Sequence, residues 1–156
     1  MDLGAVAHLA AIEGRVPFLH FFDGFRTSHE IQKVEVWDYE DLKEMCDMDA
    51  VAAFKKRALN PEHPVLHGSA QNPDIFFQVR EACNPYYDAI PDLVEKYMNM
   101  VNAKIGTDYK PFNYVGAPDA EKVIIAMGSV CETIDETIDY MLAKGCLLYT
   151  SDAADD

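Results

Sequence analysis

The sequence FLHFFDGFRTSHE, residues 18–30, most constrains what this 156-residue chain can fold into. Its apolar run at residues 18–22 is too short for a helix and is typical of a strand buried on both faces of a sheet. An Asp-Gly pair ends the run, and Thr27 and Glu30 then have the spacing of a helix capping box. The pattern predicts a buried strand, a turn and a helix start, which is a recurring corner of α/β folds.

This corner also carries a dense group of polar side chains. In open α/β sheets, ligands and neighbouring domains are received outside the carboxyl ends of the strands. Two interpretations stay open: the side chains pair with carboxylates and cap the helix, or they support an active site or a domain interface from behind. We assign them no catalytic, cofactor-binding or metal-binding role. The candidates are Asp23, Arg26, Ser28, His29 and Glu30.

The chain before this corner predicts a helix. Apolar residues recur at helical spacing from Leu3 to Ala10, and Gly14 is suited to a left-handed helix stop. After Glu30 the pattern changes to short helices, with Asp38 and Asp49 as expected N-caps.

Two Asn-Pro pairs, at residues 72–73 and 84–85, should each start a helix, because Asn is a good N-cap and Pro a good first residue. Pro91 should kink or divide the second of these helices. Residues 106–118 are rich in Gly and Pro and predict a connector between domains.

The last regular unit begins with the apolar run VIIAM at residues 123–127, which predicts a strand. Gly128 turns the chain, and Ser129 with Glu132 predicts another capped helix. A second strand rich in Val and Ile should follow Gly145, but the sequence CLLYTSDAADD stands there instead. Residues 146–156 resemble a translated sequencing adapter, so we interpret them as a non-native tail.

Charge and cysteine usage exclude several classes of function. The formal net charge of −14 argues against nucleic acid and anionic membranes as partners. The four cysteines form no CxxC pair that could hold zinc or an iron-sulfur cluster, so we assign no metal to this chain. No apolar run approaches a membrane span and no secretory signal is evident, so we expect a cytoplasmic protein.

Three stretches resemble the family of pyruvate:ferredoxin (or flavodoxin) oxidoreductases. They are PFLHFFDGFRTSHEIQKVEV, ALNPEHPVLHGSAQNPDIFFQVREACNPYYDAIPDLVEKYMNMVN and KPFNYVGAPDAEKVIIAMGSVCETIDETIDYM. The resemblance covers residues 1–145 and implies an α/β fragment. It implies the end of a thiamine-diphosphate-type pyrimidine-binding domain at residues 1–37, a helical connector at 38–117, and the first βα unit of a transketolase C-terminal-like domain at 118–145.

The same resemblance implies a parent enzyme that converts pyruvate and CoA to acetyl-CoA and CO2. Its implied cofactors are thiamine diphosphate, Mg2+ and [4Fe-4S] clusters, none of them held by this fragment. Its implied partners are the remainder of the parent chain, ferredoxin or flavodoxin, and a second copy in a homodimer. The alternatives are another 2-oxoacid:ferredoxin oxidoreductase and a free-standing acidic α/β interaction module.

Overall fold

The structure of the chain is a computed structural model that describes residues 1–22, 24–65, 68, 70–119, 123–145 and 150–153. Seven helices and three strands lie in these ranges. The helices are α1 Asp2–Gly14, α2 Arg26–His29, α3 Tyr39–Met45, α4 Met48–Arg57, α5 Pro73–Asp88, α6 Ile90–Ile105 and α7 Val130–Ala143. The strands are β1 Phe112–Val115, β2 Ile125–Ala126 and β3 Thr150–Ala153.

The core lies between α1 and α6, which pack along much of their length. Both helices repeat apolar residues at the spacing that places them on one face, as the sequence predicts. Met45 of α3 completes this core. Its buried side chains are Val6, Leu9, Ala10, Met45, Tyr97, Met98 and Val101.

The end of α1 differs from the prediction by one residue. Gly14 is the last helical residue and Arg15 takes the left-handed conformation, with φ 59°. Gly14 is instead required for helix packing, because a Cβ there would lie 2.8 Å from Ile90 Cδ1 and 3.1 Å from Leu93 Cδ1. The small residue therefore allows α1 to approach α6 closely.

The predicted buried strand at residues 18–22 is wrong for this chain. The segment is outside regular structure and its large apolar side chains are exposed, with Leu19 at 84%. A strand needs a neighbour to satisfy its backbone amides and carbonyls. Within the described ranges no strand pairs with this segment.

The capping box at Thr27 and Glu30 is also wrong, because α2 starts one residue earlier and ends at His29. Thr27 therefore lies inside the helix and Glu30 beyond it. Phe25, which precedes the helix, has a positive φ of 59°.

The middle helices follow the sequence with shifts at their ends. Asn72 precedes Pro73 at the start of α5, as predicted, whereas the N-cap of α4 is Asp47 rather than Asp49. Asp47 accepts a hydrogen bond from the amide of Ala50 at 2.9 Å. Pro85 starts no helix and lies inside α5, which ends one turn later.

The helical stretch from Pro85 to Ile105 is divided at Ala89, as predicted for Pro91. Pro91 lies in the first turn of α6, where no intrahelical amide is needed. Gly106 ends α6 in the left-handed conformation. Ser129 precedes α7 as predicted but makes no capping hydrogen bond, since its own backbone is already helical.

The three strands form one small sheet in the order β1-β3-β2. The central strand β3 is antiparallel to β1 and parallel to β2. β1 lies in the predicted connector, where the sequence pattern indicates no strand, and β2 is shorter than the predicted run. β3 lies within residues 146–156, which we interpret as a non-native tail. A strand therefore follows α7, at the place where the α/β pattern predicts one. The described chain is a mostly helical, partial α/β structure.

No helix among the described residues has both the length and the apolar character needed to cross a membrane.

Candidate functional site

The predicted polar cluster lies on α2 and the residues around it. Ser28 Oγ donates to the carbonyl oxygen of Phe25 at 3.1 Å, and the Nδ1 atom of His29 lies 2.5 Å from the same oxygen. Ser28 Oγ and His29 Nδ1 are 3.3 Å apart. The His29 ring also packs on Phe25, with 5.0 Å between ring centroids. These two candidates therefore come together and both stabilise the turn before α2.

The other three candidates are not joined to this pair. Glu30 is exposed and follows the helix. Asp23 and the side chain of Arg26 lie outside the described residues. The contacts of Ser28 and His29 are local, so in this chain the cluster has the geometry of a helix start, and its role in a larger site stays a prediction.

An exposed apolar segment surrounds the cluster. We define it as residues 18–36, which contain eight large apolar side chains that are each at least 36% exposed. Single exposed apolar residues are ordinary, whereas a contiguous group of this size is typical of a surface covered by another protein element. The eight are Phe18, Leu19, Phe21, Phe22, Phe25, Ile31, Val34 and Val36.

The apolar segment crosses α1 at Gly4. A Cβ at Gly4 would lie 3.6 Å from Nδ1 of His20, so the imidazole ring rests against the helix backbone. Between α1, the segment and α3 lies an apolar groove of about 910 Å³. Its polar side chains include His8, His20 and Lys43.

This apolar groove does not fit a magnesium diphosphate. Mg2+ requires oxygen ligands, commonly carboxylates, and no Asp or Glu among the described residues lines the groove. Elsewhere in the described ranges, no three His, Cys, Asp or Glu side chains come together as a metal site would require. Among the described residues, Cys46, Cys83 and Cys131 form no disulfide.

A cluster that the sequence did not single out joins α1 to α6. Oε2 of Glu13 accepts from Tyr97 Oη at 2.5 Å and from Lys96 Nζ at 2.6 Å. Partial burial raises the pKa of Glu13, but the hydrogen bonds from Lys96 and Tyr97 outweigh it and leave the pKa below its ordinary value of 4.5. Burial and the bond to Glu13 raise the pKa of Tyr97, so its hydroxyl stays protonated and donates.

A second such cluster fixes the start of α1. Asp2 accepts from Trp37 Nε1 at 3.2 Å and from Tyr109 Oη at 3.0 Å. Its carboxylate thus ties three distant parts of the chain together. Tyr97, Trp37 and Tyr109 all pack in or against the core, so an aromatic ring with a polar atom was the signal available in the sequence.

Comparison with protein families identifies the class of protein to which the chain belongs. Residues 1–99 match a thiamine diphosphate-binding domain. The family is described as pyruvate flavodoxin/ferredoxin oxidoreductase, thiamine diphosphate-binding, and the chain belongs to it. The resemblance stated from the sequence is therefore confirmed.

Curated relatives agree with this family. The chain is 65% identical over 145 residues to a pyruvate-flavodoxin oxidoreductase of Enterobacter agglomerans and 59% identical to a pyruvate:ferredoxin oxidoreductase of Moorella thermoacetica. Both matches cover 93% of the chain but 12% of the relative. A pyruvate dehydrogenase [NADP(+)] of Cryptosporidium parvum is 47% identical over 92% of the chain and 7% of the relative. The chain thus spans about an eighth, or less, of these proteins' length.

Proposed function

We propose that the chain is part of a pyruvate:flavodoxin or pyruvate:ferredoxin oxidoreductase. Such an enzyme converts pyruvate and CoA to acetyl-CoA, CO2, a proton and two electrons, which iron-sulfur clusters pass to the acceptor. Thiamine diphosphate with Mg2+ supplies the decarboxylation chemistry in that enzyme. The observation that carries the proposal is the 65% identity over 145 residues to an enzyme of that name.

We propose that this chain contributes support rather than reacting groups. Its described residues offer a helical core fixed by Asp2 and Glu13, an exposed apolar segment, and a polar turn at Ser28 and His29. A rigid core carrying an uncovered apolar segment suits a part that packs against the rest of the enzyme.

The domain assignment belongs to the same proposal. Residues 1–37 would close the pyrimidine-binding domain, residues 38–117 would connect, and residues 118–145 would open the transketolase C-terminal-like domain. The order of β2 followed by α7 supports the last of these, since a strand followed by a helix is the first half of a βαβ unit.

The partners of the complete enzyme are proposed from the relatives' names and from its chemistry. They are flavodoxin or ferredoxin, pyruvate, CoA and a second copy of the enzyme, in the cytoplasm. The electron acceptor is the least constrained of these, because one relative is named for NADP(+). A related enzyme acting on another 2-oxoacid is the nearest alternative.

A chimera tests the proposal. Residues 1–145 would replace the matching segment of the Enterobacter agglomerans enzyme, and CoA-dependent pyruvate oxidation would be followed by reduction of methyl viologen. At 65% identity we expect kcat within about tenfold of the parent, a barrier change of about 1.4 kcal/mol or less.

The control is a second chimera that carries the same segment from the Moorella thermoacetica enzyme. If this control is active while the chimera with residues 1–145 assembles and retains thiamine diphosphate but does not turn over, the assignment of this chain to a pyruvate oxidoreductase is overturned.

A further inference from the structure

A second groove, of about 680 Å³, lies between the C-terminal half of α1 and α4. We call it the basic groove. Apolar side chains form most of its wall, and α4 contributes Val51 and Phe54, the latter 66% exposed. The remaining lining residues are His8, Ala11, Ile12, Arg15, Val16, Pro17 and Arg57.

The charge of the basic groove is opposite to that of the chain. The chain carries 27 acidic residues and a net charge of −14, yet none of the acidic side chains that the structure describes lines this groove. Arg15 and Arg57 both line it, and in the described ranges neither forms an ion pair. The ion pairs present there use Lys96, Lys104 and Lys110. Two guanidinium groups are thus left without an anionic partner in the part of the chain that the structure describes.

Arg15 is held in place before any ligand binds. Its backbone has the left-handed conformation, and its Nη1 atom donates to the hydroxyl of Tyr86 at 3.0 Å. The guanidinium carbon lies 4.8 Å from the centroid of the Tyr86 ring. A guanidinium has five N–H donors, so most remain for a carboxylate, sulfonate or phosphate.

From this arrangement we propose that the basic groove binds a small organic anion, with its acidic group at Arg15 and Arg57 and an apolar or aromatic body against Ile12, Val51 and Phe54. The volume falls in the range of about 300–1,000 Å³ that small-molecule sites occupy. Such sites are mainly apolar with a few placed polar groups, as here. A competing explanation is that each arginine only offsets the negative end of its helix.

The test uses naphthalene-2-sulfonate and its uncharged counterpart 2-naphthalenemethanol, titrated by calorimetry into the full 156-residue chain. We expect a Kd on the order of 0.1–1 mM for the sulfonate and at least about fivefold weaker binding of the alcohol. Arg15→Gln and Arg57→Gln should each weaken sulfonate binding about five- to tenfold, while Arg57→Lys should retain part of it. Arg80→Gln, on exposed α5 outside the groove, is the matched control.

Hydrogen exchange locates the binding and separates the rival explanations. The sulfonate should slow exchange in residues 8–17 and 48–57. Equal binding of the alcohol, loss of binding in Arg80→Gln, or no saturable binding overturns the proposal. The same probe should protect the matching segments of the complete Enterobacter agglomerans enzyme; if it protects the chain alone, another part of that enzyme covers the groove and the proposal also fails. These binding results are independent of pyruvate oxidation by the chimera, so failure of this proposal leaves the proposed function untouched.

Discussion

The environment of Glu13 departs from what the sequence suggests. Glu13 looks like an ordinary helix glutamate, but its carboxylate accepts hydrogen bonds from both Lys96 and Tyr97 of α6. Tyr97 is 1% exposed, so removing its acceptor would leave a buried hydroxyl without a partner. The ion pair with Lys96 is more exposed and contributes less.

We predict that Glu13→Gln lowers the free energy of unfolding by about 1–2 kcal/mol at pH 7, because it removes the charge from two hydrogen bonds. The folded pKa of Glu13 lies below the ordinary 4.5, so its stabilisation is complete above that pH and is lost as the pH falls through the folded pKa. Urea unfolding from pH 7 to pH 3 checks both statements.

The difference between the Glu13→Gln variant and the native chain should shrink below about pH 4.5. Glu62→Gln, at an exposed loop position, is the control and should change little. A difference that is constant across the whole pH range would contradict the role given to the Glu13 carboxylate.

The polar cluster at the start of α2 has a separate prediction. In the complete enzyme we expect Arg26→Ala and His29→Ala each to lower turnover by roughly 10- to 100-fold without lowering the melting temperature, because lost positioning slows catalysis. Acetyl-CoA formation and thermal unfolding of the chimera measure the two effects. Native turnover in both variants would leave helix capping as the function of the cluster.

At the scale of elements, α1 carries two glycines that differ in surroundings: Gly14 faces α6, and Gly4 faces His20 of the apolar segment. A Cβ on Gly14 would meet Ile90 Cδ1 at 2.8 Å, whereas a Cβ on Gly4 would meet His20 at an ordinary 3.6 Å. We predict that Gly4→Ala raises the free energy of unfolding by about 0.5 kcal/mol through helix propensity. Gly14→Ala should lower it by about 1 kcal/mol, because Ile90 and Leu93 must move.

Urea unfolding of the two variants side by side checks this pair. Equal stabilisation by both substitutions would mean that α1 and α6 are not closely packed at Gly14.

The elements also show which features of the fold could be predicted from sequence. Apolar periodicity located α1 and the buried face of α6, because local pattern and tertiary burial agree there. The ends of helices were less predictable. Asp47 and Asp49 are both good N-caps, so the sequence does not decide where α4 starts. A Pro within one turn of a helix end is tolerated, so Pro85 does not mark the start of a new helix.

The strands were the least predictable. Residues 18–22 have a strong strand pattern but no pairing partner in the described chain, whereas the weaker pattern of β1 becomes a strand because β3 pairs with it. Whether a segment becomes a strand depends on pairing partners that are distant in sequence, and these cannot be predicted from the local pattern.

The candidate site could be predicted in part. Ser28 and His29 do lie together, but their contacts are confined to one turn. The Glu13 and Asp2 clusters depend on contacts across 84 and 107 residues, which no spacing rule could anticipate.

At the scale of the whole molecule, the chain has a small core and much exposed apolar surface. The core is centred on α1 and α6, and neither α4 nor α5 has a buried residue. A part spanning about 12% of its relatives is expected to expose surface that they cover elsewhere. Recognising the family required long stretches of specific sequence, which periodicity alone does not contain.

We predict that the isolated chain binds neither thiamine diphosphate nor iron, because the family resemblance implies that the segments holding them lie outside residues 1–145. Calorimetry with thiamine diphosphate and Mg2+, and absorbance after anaerobic reconstitution with iron and sulfide, test this. Micromolar binding of the cofactor, or a stoichiometric brown chromophore, would show that these residues hold a group that the present account places elsewhere in the enzyme.

We propose that the apolar segment is a surface that the rest of the oxidoreductase covers. Hydrogen exchange of the amides at residues 18–22, measured in the isolated chain and in the active chimera, tests it most directly. The amides should exchange rapidly in the chain and at least about 100-fold more slowly in the chimera, where neighbouring strands would pair with them. Equally fast exchange in both would contradict the account, because the segment would then be exposed in the complete enzyme as well.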